Sequence, residues 1–238
     1  MRKYSVILLL FILICNNSTA QIGRYIDVVQ KKFNWGVRAG FNATNPTAYQ
    51  IYQDDTKING EVINQVGFQC AFFGKTNLGV FFIQPDFSYY YTRGRYDLSI
   101  PAIYVNEETG VQQGAIQNIS LNKSSHSLNA AVLLGYNVFK DNACLFNLLL
   151  GPNFVYNYAN KYNANKNPFE DGNPHHKLNA VAGVSVNISH FYFDFRYELS
   201  IPQRNIDFSA IESAPDYLKN ITIRKSESTL NFSFGMMF

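Results

Sequence analysis

From Leu178 to Leu199 the chain reads LNAVAGVSVNISHFYFDFRYEL, two runs of period-two alternation separated by Ser189 and His190. In the first run Leu178, Ala180, Ala182, Val184, Val186 and Ile188 share one face. In the second, Phe191, Phe193, Phe195, Tyr197 and Leu199 form an apolar face, and Tyr192, Asp194, Arg196 and Glu198 form the other. Side chains alternating at this period stand on opposite faces of a strand, so the segment is a hairpin with one apolar wall and one charged wall. A soluble barrel would turn the apolar wall inward, and a membrane barrel would turn it out to lipid. Alternation alone leaves both open.

The amino terminus supplies an address. Arg2 and Lys3 precede an apolar stretch from Val6 to Ile14, and Ser18, Thr19 and Ala20 offer a small-residue cleavage site, so residues 1–20 read as a secretory signal cleaved before Gln21. Cys15 as an acylated lipoprotein residue is the weaker alternative, because Ile14 is bulky where such sites take a small residue. Cleavage removes two of the 20 basic residues and none of the 17 acidic ones, leaving a formal charge of +1. No basic block remains for nucleic acid. No later run reaches the ~18 apolar residues of a spanning helix, so a mature chain in a membrane is there as strands.

After a short amino-terminal segment at 21–33, alternating runs recur near Asn34–Asn42, Asn64–Phe73, Leu78–Tyr91, His126–Val138 and Cys144–Tyr158, then in the hairpin, and finally in LNFSFGMMF at the carboxyl end. Pro85 and Pro152 sit inside runs whose phase continues past them, which makes them local defects and not breaks. The eight runs predict an all-β fold, an eight-stranded antiparallel up-and-down transmembrane β-barrel over 34–238. Its connections alternate long and short. Turns near Lys75, Asp141 and Ser189 then share one end with both termini, expected to be periplasmic, and polar loops near Asp54, Glu108, Asn165 and Glu212 share the other, expected to be external. Aromatics gather at both ends, with Tyr89 to Tyr91, Tyr156, Tyr158 and Tyr197 at the loop end and Trp35, Tyr136, Phe191 and Phe238 at the turn end, as in interfacial girdles. Cys70 and Cys144, three strands or ~14 Å apart, are too distant for a disulfide, and both are expected to face lipid.

These pieces together resemble the PorT-like outer-membrane β-barrel proteins of Bacteroidetes: FNWGVRAGFN at 33–42, FFIQPDFSYYYTRG at 81–94, LLLGPNF at 148–154, VAGVSVNI and FDFRYELSI in the hairpin, and the terminal strand. The resemblance implies a cell outer-membrane barrel in outer-membrane lipid, inserted by assembly machinery that reads a final strand ending in an aromatic residue, so Phe234 and Phe238 are the expected assembly signal. The family's namesake takes part in type IX secretion, and no motif here carries that role.

Arg38, Asp86, Asp194, Arg196 and Glu198 all fall on inward faces. An eight-stranded barrel is filled by its own side chains, and buried charges must then pair, so the five read as a structural lumen network. The adjacent His175 and His176 near Glu170 and Asp171 are a weak metal pattern, and no phosphate loop, GxSxG or CxxC is present. No cofactor, metal or catalytic residue is expected. Tyr96-Asp97-Leu98-Ser99-Ile100-Pro101 is echoed by Tyr197-Glu198-Leu199-Ser200-Ile201-Pro202, through duplication or through convergence at strand exits. The expected function is a non-enzymatic barrel acting through its outer loops, on an extracellular ligand or envelope protein, or as part of the envelope structure. The rivals are an accessory of type IX secretion or envelope assembly, a lipid-modifying barrel enzyme using His126 or His176, and a soluble lipocalin-like carrier.

Overall fold

The computed structural model describes residues 31–238 apart from residue 55 and residues 107–109, 141–143, 165–166 and 202–203. The expected signal segment at 1–20, residues 21–30 of the expected amino-terminal segment and the expected turn at Asp141 lie outside the described residues. Among the described residues ten strands follow in chain order: β1 (Phe33–Gln53), β2 (Thr56–Leu78), β3 (Phe81–Asn106), β4 (Gly110–Lys140), β5 (Cys144–Ala164), β6 (Asn167–Asp171), β7 (His175–Ile188), β8 (Phe191–Ser200), β9 (Arg204–Asp207) and β10 (Ile221–Met237). Eight of them, β1-β2-β3-β4-β5-β7-β8-β10, pair antiparallel in sequence, and β10 returns to β1, closing an eight-membered ring. The short β6 and β9 pair with β5 and β10 outside that ring.

Closure is made by the last residues. β10 runs against β1 from Gly36↔Met237 to Gln53↔Ile221, and Phe238 exchanges backbone hydrogen bonds with Trp35 at 2.7 and 3.1 Å while its ring packs 4.8 Å from the Trp35 ring. Phe234 faces outward between Phe191 and Phe193. Phe238→Asp would put a carboxylate on this outer seam, where β10 must meet β1 if no edge is to face lipid. The variant is expected to be depleted from the outer membrane, and parental levels in a membrane fraction would refute this.

The alternation has a direction. In β3, Phe81, Ile83 and Phe87 stand 49%, 40% and 63% exposed, whereas Phe82, Gln84, Asp86 and Ser88 are buried. The large apolar face is therefore the outer wall. From Phe81 to Tyr91 the outer wall is aromatic or aliphatic, ten rises of ~3.3 Å tilted by ~40°, about 25 Å of height, which matches a membrane band. Pro85 and Pro152 point outward within unbroken strands.

Above the band the pattern inverts without a change of phase. Along β3 the inward positions turn from Gln84, Asp86 and Ser88 to Tyr96, Leu98 and Ile100, and the outward ones from Phe87 to Arg93, Arg95 and Asp97. β10 repeats this, with Asn231 and Ser233 inward in the band but Ile223 and Ile221 inward above it. The long connections expected as polar loops are thus largely strand. β1 and β2 continue to a turn at Asp54, β3 pairs β4 as far as Asn106↔Gly110, and β5 gains β6. Inside this projecting head, Ile51, Leu98, Leu121, Tyr162, Phe208 and Leu218 belong to one buried apolar cluster, roofed in part by two short 3-10 turns at Phe208–Ala210 and Asp216–Leu218. An isolated hairpin is marginal in water; a shared apolar core is what makes these extensions hold.

Two further expectations change. The β2–β3 turn, expected at Lys75, is Gly79–Val80, where Gly79 takes φ 75°. A two-residue hairpin turn needs positive φ that glycine supplies without a Cβ clash, and β2 runs on through Lys75, which is 1% exposed inside the lumen. Cys144 is buried and does not face lipid, whereas Cys70 is exposed, and the two are not bonded to each other. Cys144 is the first residue of β5, opposite Ile188 at the turn end, and its neighbour Leu145 is buried too, so wall alternation has not yet begun there.

Candidate functional site: the filled lumen and the projecting head

The lumen is packed by setting large side chains opposite glycines. Phe73 faces Gly36, Phe82 faces Gly135, Tyr192 faces Gly235 and Arg196 faces Gly183 in direct cross-strand pairs. A Cβ on Gly135 would lie 1.9 Å from the Phe82 ring, so the glycine makes room for the ring. Phe73, Tyr192 and Met237 form a cluster at the turn end, and the Lys75 ammonium sits 3.9 Å above the Phe82 ring, a favourable cation–π position.

One layer further in, four of the five charged residues singled out in the sequence meet. Arg38 Nη2 donates to both oxygens of Asp86 at 3.0 Å, and its Nη1 donates to Ser233 Oγ at 3.0 Å, 3.7 Å from Asp194. Arg196 Nη2 lies 3.0 Å from Asp86 Oδ2 and 2.6 Å from Asp194 Oδ2, close enough for an ion pair but off the direction of a hydrogen bond. Asp194 also accepts from the Ser233 and Tyr192 hydroxyls. Two guanidinium groups and two carboxylates, contributed by β1, β3 and β8, thus form a neutral quartet across the barrel.

Glu198 stands apart. Its carboxylate, 2% exposed, accepts from Tyr90 Oη, Asn153 Nδ2, Asn179 Nδ2 and Asn231 Nδ2 at 2.8, 2.8, 3.1 and 2.8 Å. These four neutral donors stand in for hydration. Asp194, Arg196 and Glu198 share a face of β8 as expected, but the Arg196 guanidinium turns to the two aspartates, leaving Glu198 to the amides. Tyr90, expected in the outer girdle with Tyr89 and Tyr91, is buried as one of those donors; its even position on β3 points it inward.

A second charged group, unmarked by the sequence reading, lies just above the band, where Lys225 and Lys177 both reach Glu227, the latter at 3.2 Å. Tyr96 Oη accepts from Lys225. Burial alone would raise the Glu227 pKa, yet Lys225, Lys177 and Lys123 hold its carboxyl well below the usual carboxylate range. The clue available in sequence was the unbroken odd-numbered phase from Ile221 to Met237.

The histidines are engaged by aromatics. His126 Nδ1 is 2.6 Å from Tyr89 Oη, with Tyr91 and Tyr158 around the ring, and His176 stacks on Phe154 and Tyr156. His175 Nε2 is 2.7 Å from Asp171 Oδ2, and among the described residues no group of three or more His, Cys, Asp or Glu side chains is arranged to hold a metal. The lumen retains small cavities of about 40 and 30 Å³ between the quartet and the head. A much larger hollow, about 810 Å³, lies open on the lipid-facing wall over Ala39 and Cys70.

An apolar outer band, a polar side-chain-filled interior and a ring closed without edges define a transmembrane β-barrel of the outer-membrane type. Residues 19–204 match the outer membrane protein β-barrel domain family, and the chain belongs to it; its place is the outer membrane. No curated protein matches the sequence. Similar solved structures include Ail, the attachment invasion locus protein of Yersinia pestis (13% identity, TM-score 0.40, 87% of this chain and 100% of that chain). OprG of Pseudomonas aeruginosa (12%, 0.48, 87% and 97%) and the outer membrane protease OmpT of Escherichia coli (11%, 0.40, 87% and 96%) are also similar. At such scores the likeness says nothing of what this chain does.

Proposed function

We propose that this protein is a non-enzymatic, non-conducting outer-membrane barrel that displays a rigid β-structured head for recognition at the cell surface. The observation that carries the reading is the apolar core above the membrane band, with Leu98, Leu121, Tyr162, Phe208 and Ile221 all 1% exposed or less. A pore needs a wide lumen, whereas an eight-stranded ring is just filled by its own side chains, and this chain invests its long connections in a packed extension. The engagement of His126 and His176 by tyrosine and phenylalanine rings favours a girdle role over catalysis. Termini and short turns are assigned to the periplasm and the head to the exterior. The ordered pieces at 33–42, 81–94 and 148–154 support membership of the PorT-like branch, for which co-purification with secretion or assembly components is the test.

Two measurements test the reading. Purified protein in planar bilayers is expected to give no steady unitary conductance, and stable channels would defeat it. Hydrogen exchange in lipid nanodiscs is expected to protect the amides of 95–99, 119–123 and 221–225 nearly as well as those of the band. Rapid exchange there would mean loops and not a platform.

A further inference from the structure

On the outer wall Ala39 and Cys70 are direct cross-strand partners, both exposed. Phe72, Phe87, Phe234 and Met236 stand around them, so these two short side chains are the floor of the hollow of about 810 Å³, a volume in the ~300–1,000 Å³ range of ligand sites. Its height follows from β3. The band there runs from Phe81 to Tyr91 with Asp86 at its middle, and the hollow meets β3 at Phe87 to Tyr89, on the loop side of that middle. From Phe87 to Arg93 is about 15 Å of height, six rises of ~3.3 Å tilted by ~40°, or half of a ~30 Å hydrocarbon core. A lipid of the loop-end leaflet whose chain lies on this floor therefore carries its headgroup level with Arg93.

At that level the wall turns polar and basic. Tyr91 pairs with His126 and Arg93 with Ser124 in the β3–β4 register, and the Arg93 side chain is exposed on the outward face. Tyr89 Oη lies 2.6 Å from His126 Nδ1. When the hydroxyl donates to that nitrogen, Nε2 carries the ring proton and becomes a donor. A guanidinium with a second N–H donor beside it is suited to a phosphate.

We infer that the hollow is a binding site for one anionic, phosphate-bearing lipid of the loop-end leaflet, its acyl chain over Ala39 and Cys70 and its phosphate on Arg93 and His126. A second copy of the chain is a poorer occupant. A two-fold axis along the membrane normal would set hollow against hollow and bring Arg93 toward its own copy. The site depends on the membrane band and not on what the head recognises.

The test uses the purified full-length mature barrel in detergent, with dipalmitoyl phosphatidylglycerol or dipalmitoyl phosphatidylcholine added and the bound lipid counted by native mass spectrometry. One phosphatidylglycerol per barrel is expected, retained about fivefold over phosphatidylcholine of the same chains, the effect of one basic residue at a membrane surface. Arg93→Gln should abolish the preference and Arg93→Lys keep it. Cys70→Phe, which fills the floor, should lose both lipids while keeping the heat-dependent gel mobility of a folded barrel. Ala182→Phe, the same kind of enlargement on the exposed face of β7, should bind like the parent. Equal retention of the two lipids, a folded Cys70→Phe barrel that still holds one, loss of lipid in Ala182→Phe as well, or a dimer that Cys70→Phe dissociates would overturn the assignment.

Discussion

Replacing Arg196 with methionine is expected to lower the unfolding free energy by about 3 to 5 kcal/mol. The guanidinium lies within 3.0 Å of both Asp86 and Asp194, and without it Arg38 alone faces two buried carboxylates. The residual charge has no route to water, because Phe73, Phe82 and Tyr192 close the turn end. Urea unfolding in lipid vesicles, followed by the fluorescence of Trp35, the single tryptophan, reads the loss directly. Adding Asp194→Asn restores neutrality around Arg38 and Asp86 and should recover a substantial part of it. An Arg196→Met barrel as stable as its parent would show that the quartet contributes nothing, and a double variant no better than the single would show that lost packing, and not charge, sets the cost.

The other large effect is expected in the head. Leu98 is 1% exposed within the apolar cluster, so Leu98→Asp places an unpaired carboxylate among Ile51, Ile119 and Ile221, at a cost of several kcal/mol. The head should open, with new protease cleavage between 92 and 125, while the band persists as a heat-modifiable fragment because none of its contacts has changed. Ser99→Asp, one residue on and half-exposed toward solvent, is the control and should cleave like the parent. Indistinguishable digestion of Leu98→Asp and the parent would mean that the head is not held by its core. That outcome would make band and head separable in stability, as expected when one is stabilised against lipid and the other against water.

What was legible in the sequence follows from where alternation has a single meaning. The eight membrane runs and their order come from period two. The inward faces of Arg38, Asp86, Asp194, Arg196 and Glu198 follow once the alternating connection lengths and the aromatic girdles choose a membrane barrel, and the role of Phe238 comes from the family resemblance. Partner choice comes from none of these. Arg196 sits between Asp194 and Glu198 on one face of β8, and only the position of Asp86 on β3 across the lumen decides that Glu198 is left to Asn153, Asn179 and Asn231.

The two echoed hexapeptides mark the boundary most sharply. Tyr96, Leu98 and Ile100 are 3%, 1% and 5% exposed inside the head, whereas Tyr197, Leu199 and Ile201 stand 38%, 41% and 62% exposed on the outer wall. The same pattern buries its apolar side in one place and presents it to lipid in the other, so the echo does not mark a repeat that kept its facing. Sequence alone determines that each segment is a strand with one apolar face, since that follows from local geometry. Which way the face points depends on whether the strand at that height is surrounded by lipid or by water, and the closed ring and its band settle that only in three dimensions.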